Sequence, residues 1–167
     1  RFGAGGWVEE DWTDSRGGND FAIYTPASNA TAGSGVQINL GTTNYVNGSV
    51  SIGANTAEFQ LPATGATLHR DRLFNFENAE GGGGNDYLVG SSGANQLTGN
   101  EGSDTFAGLG GNDTVSGGNG DDVILYRVGD GQETANGRAN TDTLTITGTG
   151  GDETYNLNMI SLGGLEH

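Results

Sequence analysis

The chain has 167 residues, 33 of them Gly and none Cys, and 21 acidic against six basic residues leave a formal charge of −15. These figures exclude disulfide and thiolate chemistry and binding to nucleic acid by counterion release, and no apolar run approaches the ~20 residues of a membrane helix. Low hydrophobicity with high net charge also marks a chain that stays disordered until something neutralises it.

The chain opens at Arg1 without a charged-then-apolar leader and reads as a piece of something longer. Near its start Glu9, Glu10, Asp11 and Asp14 lie between Trp7 and Trp12. Paired carboxylates can run glycosidase chemistry, but a solvated acidic edge beside packed Trp is the simpler reading. Ser15 to Ile23, SRGGNDFAI, follows the pattern described below, with Asp20 as its acidic residue. Val36 to Leu40, Ser49 to Ile52 and Glu58 to Leu61 are strand-like runs bounded by Gly, Asn and Thr clusters. Asn29-Ala30-Thr31 and Asn47-Gly48-Ser49 fit the glycosylation acceptor pattern. His69, beside Arg70, Asp71 and Arg72, belongs to no catalytic motif and reads as a surface residue. No sustained helical period occurs, and Gly at this density argues against long helices.

From residue 81 the chain changes in kind. Residues 81–125 divide into nines: GGGGNDYLV, GSSGANQLT, GNEGSDTFA, GLGGNDTVS and GGNGDDVIL. Positions one and four are Gly throughout. Position six is Asp86, Asn95, Asp104, Asp113 and Asp122; position eight is Leu88, Leu97, Phe106, Val115 and Ile124. Even at three times the usual Gly frequency of ~7%, ten Gly in register arise by chance about once in ten million. Position eight predicts a three-residue strand with one inward side chain, and Gly supplies the positive φ angles of the turn before it. Such a unit cannot bury its own apolar residue, but a parallel solenoid of stacked units can. Odd repeats then form one sheet and even repeats the other. Stacked turns also bring carboxylates together beside main-chain carbonyls, the donor set of a hard cation such as calcium.

These nonads resemble the RTX family of haemolysin-type calcium-binding repeats, G-G-x-G-x-D-x-U-x. The resemblance implies an all-β fold, a right-handed parallel β-roll or β-solenoid in which two nonads make one coil and calcium lies between a turn and the turn one coil later. Carried over, it implies a first site from Gly82, Gly84, Asp86, Gly99, Glu101 and Asp104. It implies a second from Ser91, Gly93, Asn95, Gly108, Gly110 and Asp113, the weakest because Asn95 is neutral. A third uses Asn100, Gly102, Asp104, Gly117, Asn119 and Asp122, and all but the position-six side chains act through main-chain oxygens.

Beyond residue 125 the pattern decays. With Tyr126 and Arg127 skipped, residues 128–136 read VGDGQETAN and 137–145 read GRANTDTLT; a second skip gives GTGGDETYN at 148–156. Glu133, Asp142 and Glu153 fall at position six, and a fourth site would join Gly118, Gly120 and Asp122 to Gly137, Ala139 and Asp142. A degenerate capping coil is the other reading. Thr141 to Thr149 reads as a strand, and Leu165-Glu166-His167 as a tag remnant. The organisation expected is irregular solenoid coils over 1–80, five regular repeats over 81–125, degenerate coils over 126–164, and the remnant over 165–167.

No His-Glu-x-x-His or Gly-x-Ser-x-Gly motif occurs, so the chain is expected to be a calcium-binding module rather than an enzyme. The resemblance implies a secreted, extracellular protein exported by type I secretion, which folds on meeting external calcium. The alternative is a polysaccharide- or surface-binding module, with Trp7, Trp12 and Tyr45 as stacking surfaces. Oligomeric state is not legible.

Overall fold

The computed structural model describes residues 12–14, 18–24, 35–60 and 67–150. Glu9, Glu10, Asp11, Trp7, the 29–31 acceptor, Glu153 and the 165–167 remnant lie outside the described residues, as does the start of the 15–23 nonad. The described residues contain fifteen strands and no helix: β1 (Trp12–Asp14), β2 (Phe21–Ile23), β3 (Val36–Asn39), β4 (Tyr45–Asn47), β5 (Val50–Ile52), β6 (Thr56–Gln60), β7 (Thr67–Phe74), β8 (Asn78–Glu80), β9 (Tyr87–Val89), β10 (Gln96–Glu101), β11 (Thr105–Ala107), β12 (Gly111–Asn119), β13 (Val123–Arg127), β14 (Gly131–Ala139) and β15 (Thr143–Thr147).

From β8 onward successive strands alternate between two parallel sheets, the arrangement of a β-solenoid. β9, β11, β13 and β15 are neighbours in one sheet, and β8, β10, β12 and β14 in the other. The register advances by one coil at a time: Leu88 pairs with Phe106 and Phe106 with Ile124, while Leu97 pairs with Val115. All five position-eight side chains are buried in one core with Ile38, Leu73 and Ala79. The coil then lengthens from 18 to 20 residues, so that Val115 faces Ala135 and Ile124 faces Leu144. Tyr126 and Arg127 are absorbed as two more pairs of the β13–β15 ladder.

β10, β12 and β14 exceed the three residues expected of a nonad strand because residues of the adjoining turns also pair, Glu101 with Asn119 and Asn119 with Ala139 after the strands, and Gly111 with Gly131 before β12 and β14. Earlier in the chain β2 adds a parallel rung beside β8, and β3 adds one beside β9. β6 and β7 run antiparallel, β6 against β3 and β7 against β6, so coils alone do not account for this part of the chain. The β4–β5 hairpin lies over the outside of the larger sheet, where Ile52, Tyr45 and Val50 pack on Val89, Ala107 and Leu125. Asn39 anchors its base: the buried side-chain amide donates to the Thr43 and Ile52 carbonyls and accepts from Gly41 N–H.

Candidate metal centre

The position-six side chains form two ladders along the roll, one at each line of turns. On the first, Asp86 Oδ1 accepts from Val36 N–H (2.7 Å), Asp104 Oδ1 from Asp86 N–H (2.8 Å), Asp122 Oδ1 from Asp104 N–H (2.9 Å) and Asp142 Oδ1 from Asp122 N–H (3.1 Å). On the second, Glu77 Oε2 accepts from Asp20 N–H (2.9 Å) and Asp113 Oδ1 from Asn95 N–H (2.8 Å). Each side chain therefore fixes the backbone of the coil before it with one oxygen. Parallel stacking at ~4.8 Å brings the next carboxylate into reach.

The second oxygen carries the chemistry. Asp104, Asp113 and Asp122 are each only 1% exposed, and their Oδ2 atoms are buried without a hydrogen-bond donor. A buried carboxylate oxygen left so costs several kcal/mol unless a proton or cation meets it. In every regular repeat a position-six side-chain oxygen folds back over the position-one Gly of its own turn; a carbonyl from the next coil also arrives there at Gly81, Gly90, Gly99 and Gly117, and the Glu133 carboxyl does so at Gly108. A Cβ on Gly99 would collide with Asp104 Oδ2 and lie 2.7 Å from Gly117 O, and one on Gly117 would collide with Asp122 Oδ2 and lie 2.7 Å from Gly137 O. A Cβ on Gly81 would meet Asp86 Oδ2 and Gly99 O, and one on Gly90 would meet Asn95 Oδ1 and Gly108 O. Carboxylate and carbonyl thus converge on a small cradle at Gly81, Gly99 and Gly117. This oxygen-only donor set suits a hard cation.

The turn backbone follows the same rule. Position two takes positive φ at Asn100 (86°), Leu109 (68°), Gly118 (133°) and Arg138 (77°), and position four at Gly84, Gly102, Gly111, Gly120 and Gly131. At Gly102 and Gly120 position four admits no side chain, because a Cβ there would run into the carbonyl of Gly84 or Gly102 beneath it. Gly82 O accepts from Glu101 N–H and Glu101 O from Gly84 N–H, joining the first pair of turns. Gly110 N–H donates to Ser91 O in the second pair, where Gly111 lies on Gly93. In the third pair Asn119 O accepts from Gly102 N–H and Gly118 lies on Asn100 O. In the fourth, Asn119 pairs with Ala139, Asp142 caps Asp122, and Gly120 N–H donates to Asn140 Oδ1. The turns of all four expected sites are therefore stacked as pairs. Among the described residues no three His, Cys, Asp or Glu side chains converge in the manner of a side-chain metal cluster; the carboxylates of each site come with carbonyls.

Burial pushes Asp86 up to about 6 and Asp104 up to about 7, the latter helped by the charges of Asp86 and Asp122. Asp113 and Asp122 are raised for the same main reason. Asn95 is the exception on its ladder. Its Oδ1 accepts from Ser91 N–H while its Nδ2 donates to Glu77 O, so it satisfies itself with neutral partners.

Glu77 was not an expected rung. It lies 18 residues before Asn95, one coil length, and Ala79 then takes the buried position-eight place in register with Leu97. That spacing was available in the sequence, but no nonad precedes it. Asp20 stands one rung earlier on the same ladder. Near His69, Arg70 pairs with Glu58 (2.8 Å) and Asp71 accepts from the Tyr24 hydroxyl (2.8 Å), contacts that tie β7 into the fold. Tyr45 is set against Tyr87 with ring centres 5.8 Å apart.

Gly99→Ala tests the cradle without touching a carboxylate. The added methyl would occupy the space shared by Asp104 Oδ2 and Gly117 O. We expect calcium-induced folding of this variant to need at least about tenfold more calcium, a cost of ~1.4 kcal/mol or more. A midpoint equal to the parent's in a calcium titration would show that the cradle is not used.

In a comparison with known families, the RTX calcium-binding nonapeptide repeat, described as four copies, matches residues 80–115 and again 98–133. No curated protein matches the chain. The matched residues include the position-six residues Asp86, Asn95, Asp104, Asp113 and Asp122 and the position-one Gly of every regular repeat. Residues 80–133 are RTX calcium-binding nonapeptide repeats, folded as a parallel β-roll.

Proposed function

We propose that the chain is a calcium-binding module that acquires its fold when it meets calcium at extracellular concentrations. The observation that carries this reading is the row of buried Asp oxygens without donors at Asp104, Asp113 and Asp122. In a metal-free coil these carboxylates repel one another and lack solvation, on top of a chain charge of −15. A bound calcium ion supplies positive charge and accepts about six to eight oxygens at ~2.3–2.6 Å. The position-six carboxylates bring the charge, and the carbonyls of Gly82, Gly84, Gly99 and Glu101, and their equivalents in the later pairs of turns, complete the donor sets given above.

Because the donors of each site come from two turns that meet only when stacked, binding free energy becomes folding free energy. Extracellular calcium modules work at about 10⁻⁴–10⁻³ M, so the proposed chain stays extended at cytosolic calcium and folds outside. A disordered acidic chain also suits export through a type I secretion channel. The repeats themselves are a structural module, and any catalytic activity belongs to residues beyond them.

The test is far-UV circular dichroism from chelator to ~10 mM calcium, with magnesium as control. Magnesium prefers octahedral sites at ~2.0–2.1 Å and keeps its water. We expect a cooperative gain of β signal with calcium alone. Full β structure in chelator would overturn folding on binding.

A further inference from the structure

The β4–β5 hairpin covers only part of the outer face of the larger sheet. Two rows of side chains run along that face from coil to coil, Ala107–Leu125–Thr145 and Leu109–Arg127–Thr147. Each row starts apolar, where the hairpin packs on it, and ends polar. At this change the hairpin and the face enclose a cleft of about 340 Å³, lined also by Asn44, Tyr45, Tyr126 and Asp130. That volume is at the small end of the ~300–1,000 Å³ of small-molecule sites.

Two aromatic rings in the cleft are already fixed. Tyr45, expected as a stacking surface, accepts from the Tyr87 hydroxyl (3.3 Å), and the Tyr126 hydroxyl donates to Gly131 O (3.0 Å). Ordered rings offer apolar area at little entropic cost. The charged groups, by contrast, are uncommitted. Among the described residues the exposed Arg127 guanidinium makes no ion pair or hydrogen bond. Asp130 Oδ2 accepts from the Arg127 backbone N–H (3.0 Å), while its Oδ1 takes no hydrogen bond. A polyanion is disfavoured here, since Asp130 shares the cleft and the chain carries −15. A wholly apolar ligand would desolvate Arg127 and Asp130 without a partner for either. A neutral sugar answers both demands, with an apolar ring face for the tyrosines and hydroxyls that donate as well as accept.

We propose that the cleft between the β4–β5 hairpin and the β11–β13–β15 face binds a sugar unit of a neutral glycan, with Tyr45 and Tyr126 against its ring and Arg127 and Asp130 on its hydroxyls. The hairpin is no part of the nonad repeat, and none of the proposed calcium donors lines the cleft. The face is assembled from three successive coils, so glycan binding needs the folded roll; it rests on the calcium reading only in that calcium supplies the fold.

Calorimetric titration of the full chain in saturating calcium decides it, with cellohexaose, maltohexaose and xylohexaose as neutral probes and hexagalacturonate as the acidic one. We expect at least one neutral probe to bind with a Kd of ~1 mM or tighter. Arg127→Ala and Asp130→Asn should each weaken that binding at least about fivefold while keeping the β signal, and Asp121→Ala, on a turn outside the cleft, should bind as the parent does. Where one variant loses β signal, the other carries the comparison. No binding of any neutral probe up to ~10 mM, preference for hexagalacturonate, or parental affinity in both variants would overturn the site. Equal sugar binding and full β signal in chelator would sink the calcium reading and leave the cleft standing.

Discussion

Asp104→Ala is expected to raise the calcium concentration needed for folding more than any other single Asp change, by roughly two orders of magnitude. Asp104 belongs to two of the proposed sites, since its turn is the later member of the first pair and the earlier member of the third. Its Oδ1 accepts from Asp86 N–H, and its Oδ2 is the buried donorless atom in the Gly99 cradle. Alanine removes a charge from two donor sets and also orphans the Asp86 N–H, which alone costs about 1–3 kcal/mol. Asp104→Asn separates the two effects, because an amide oxygen can still accept from Asp86 while the charge is gone. It should fall between Ala and the parent. Asp121→Ala is the control: Asp121 is exposed, at position five, and accepts only from Thr141 N–H. Calcium titrations followed by circular dichroism give the order expected, Asp121→Ala near the parent and Asp104→Ala furthest away. Equal midpoints for Asp104→Ala and Asp121→Ala would show that position six is not where calcium acts.

The regular coils were legible because their constraint is local and repeated. Gly at positions one and four, an acid at six and an apolar residue at eight have one consistent solution, and the five apolar side chains from Leu88 to Ile124 are buried where the period puts them. The hairpin that covers the larger sheet was not legible in the same way. Its partners Val89, Ala107 and Leu125 are all position nine of odd repeats, while the even repeats carry Thr98 and Ser116 there. That difference marks one outer face as covered, but says nothing of what covers it. Val50 and Ile52 reach it where the chain turns back after β3, a return that Asn39 ties to the Thr43 and Ile52 carbonyls. Glu77 escaped for a related reason. It holds a position-six place in a turn that lacks the repeat's Gly pattern, and only its bond with Asp20 N–H and the Ala79–Leu97 pair show that its turn stacks with the rest. Glu133 was legible at position six of 128–136, and its strand pairs in register with that of Asp113.

Acid should partly replace calcium. Buried in the metal-free roll, Asp86 holds its proton up to about 6, Asp104 up to about 7 and Glu133 up to about 8, and Asp113 and Asp122 are raised as well. In the unfolded chain the same groups release their protons near 4. Between those limits the folded state binds more protons than the unfolded state, so metal-free stability falls as pH rises. Stability from these groups is fully present below about pH 4 and is lost as pH climbs through about 6 to 8, at up to ~1.4 kcal/mol per unit for each group. The sign is opposite to that of an ion-paired carboxylate. It follows from burial, the dominant cause at each of these positions. In chelator, lowering the pH from 8 to 5 should therefore increase the β signal and compact the chain, and calcium should add less at pH 5 than at pH 8. General charge neutralisation would give a gain of its own, so the decisive comparison is with a variant carrying Asp104→Asn and Asp122→Asn. An amide at those sites mimics the protonated carboxyl, and the variant should show a shallower pH response than the parent in chelator. A parent whose metal-free signal is flat from pH 8 to 5, or a variant with the parent's full response, would show that these buried carboxylates do not set the metal dependence of the fold.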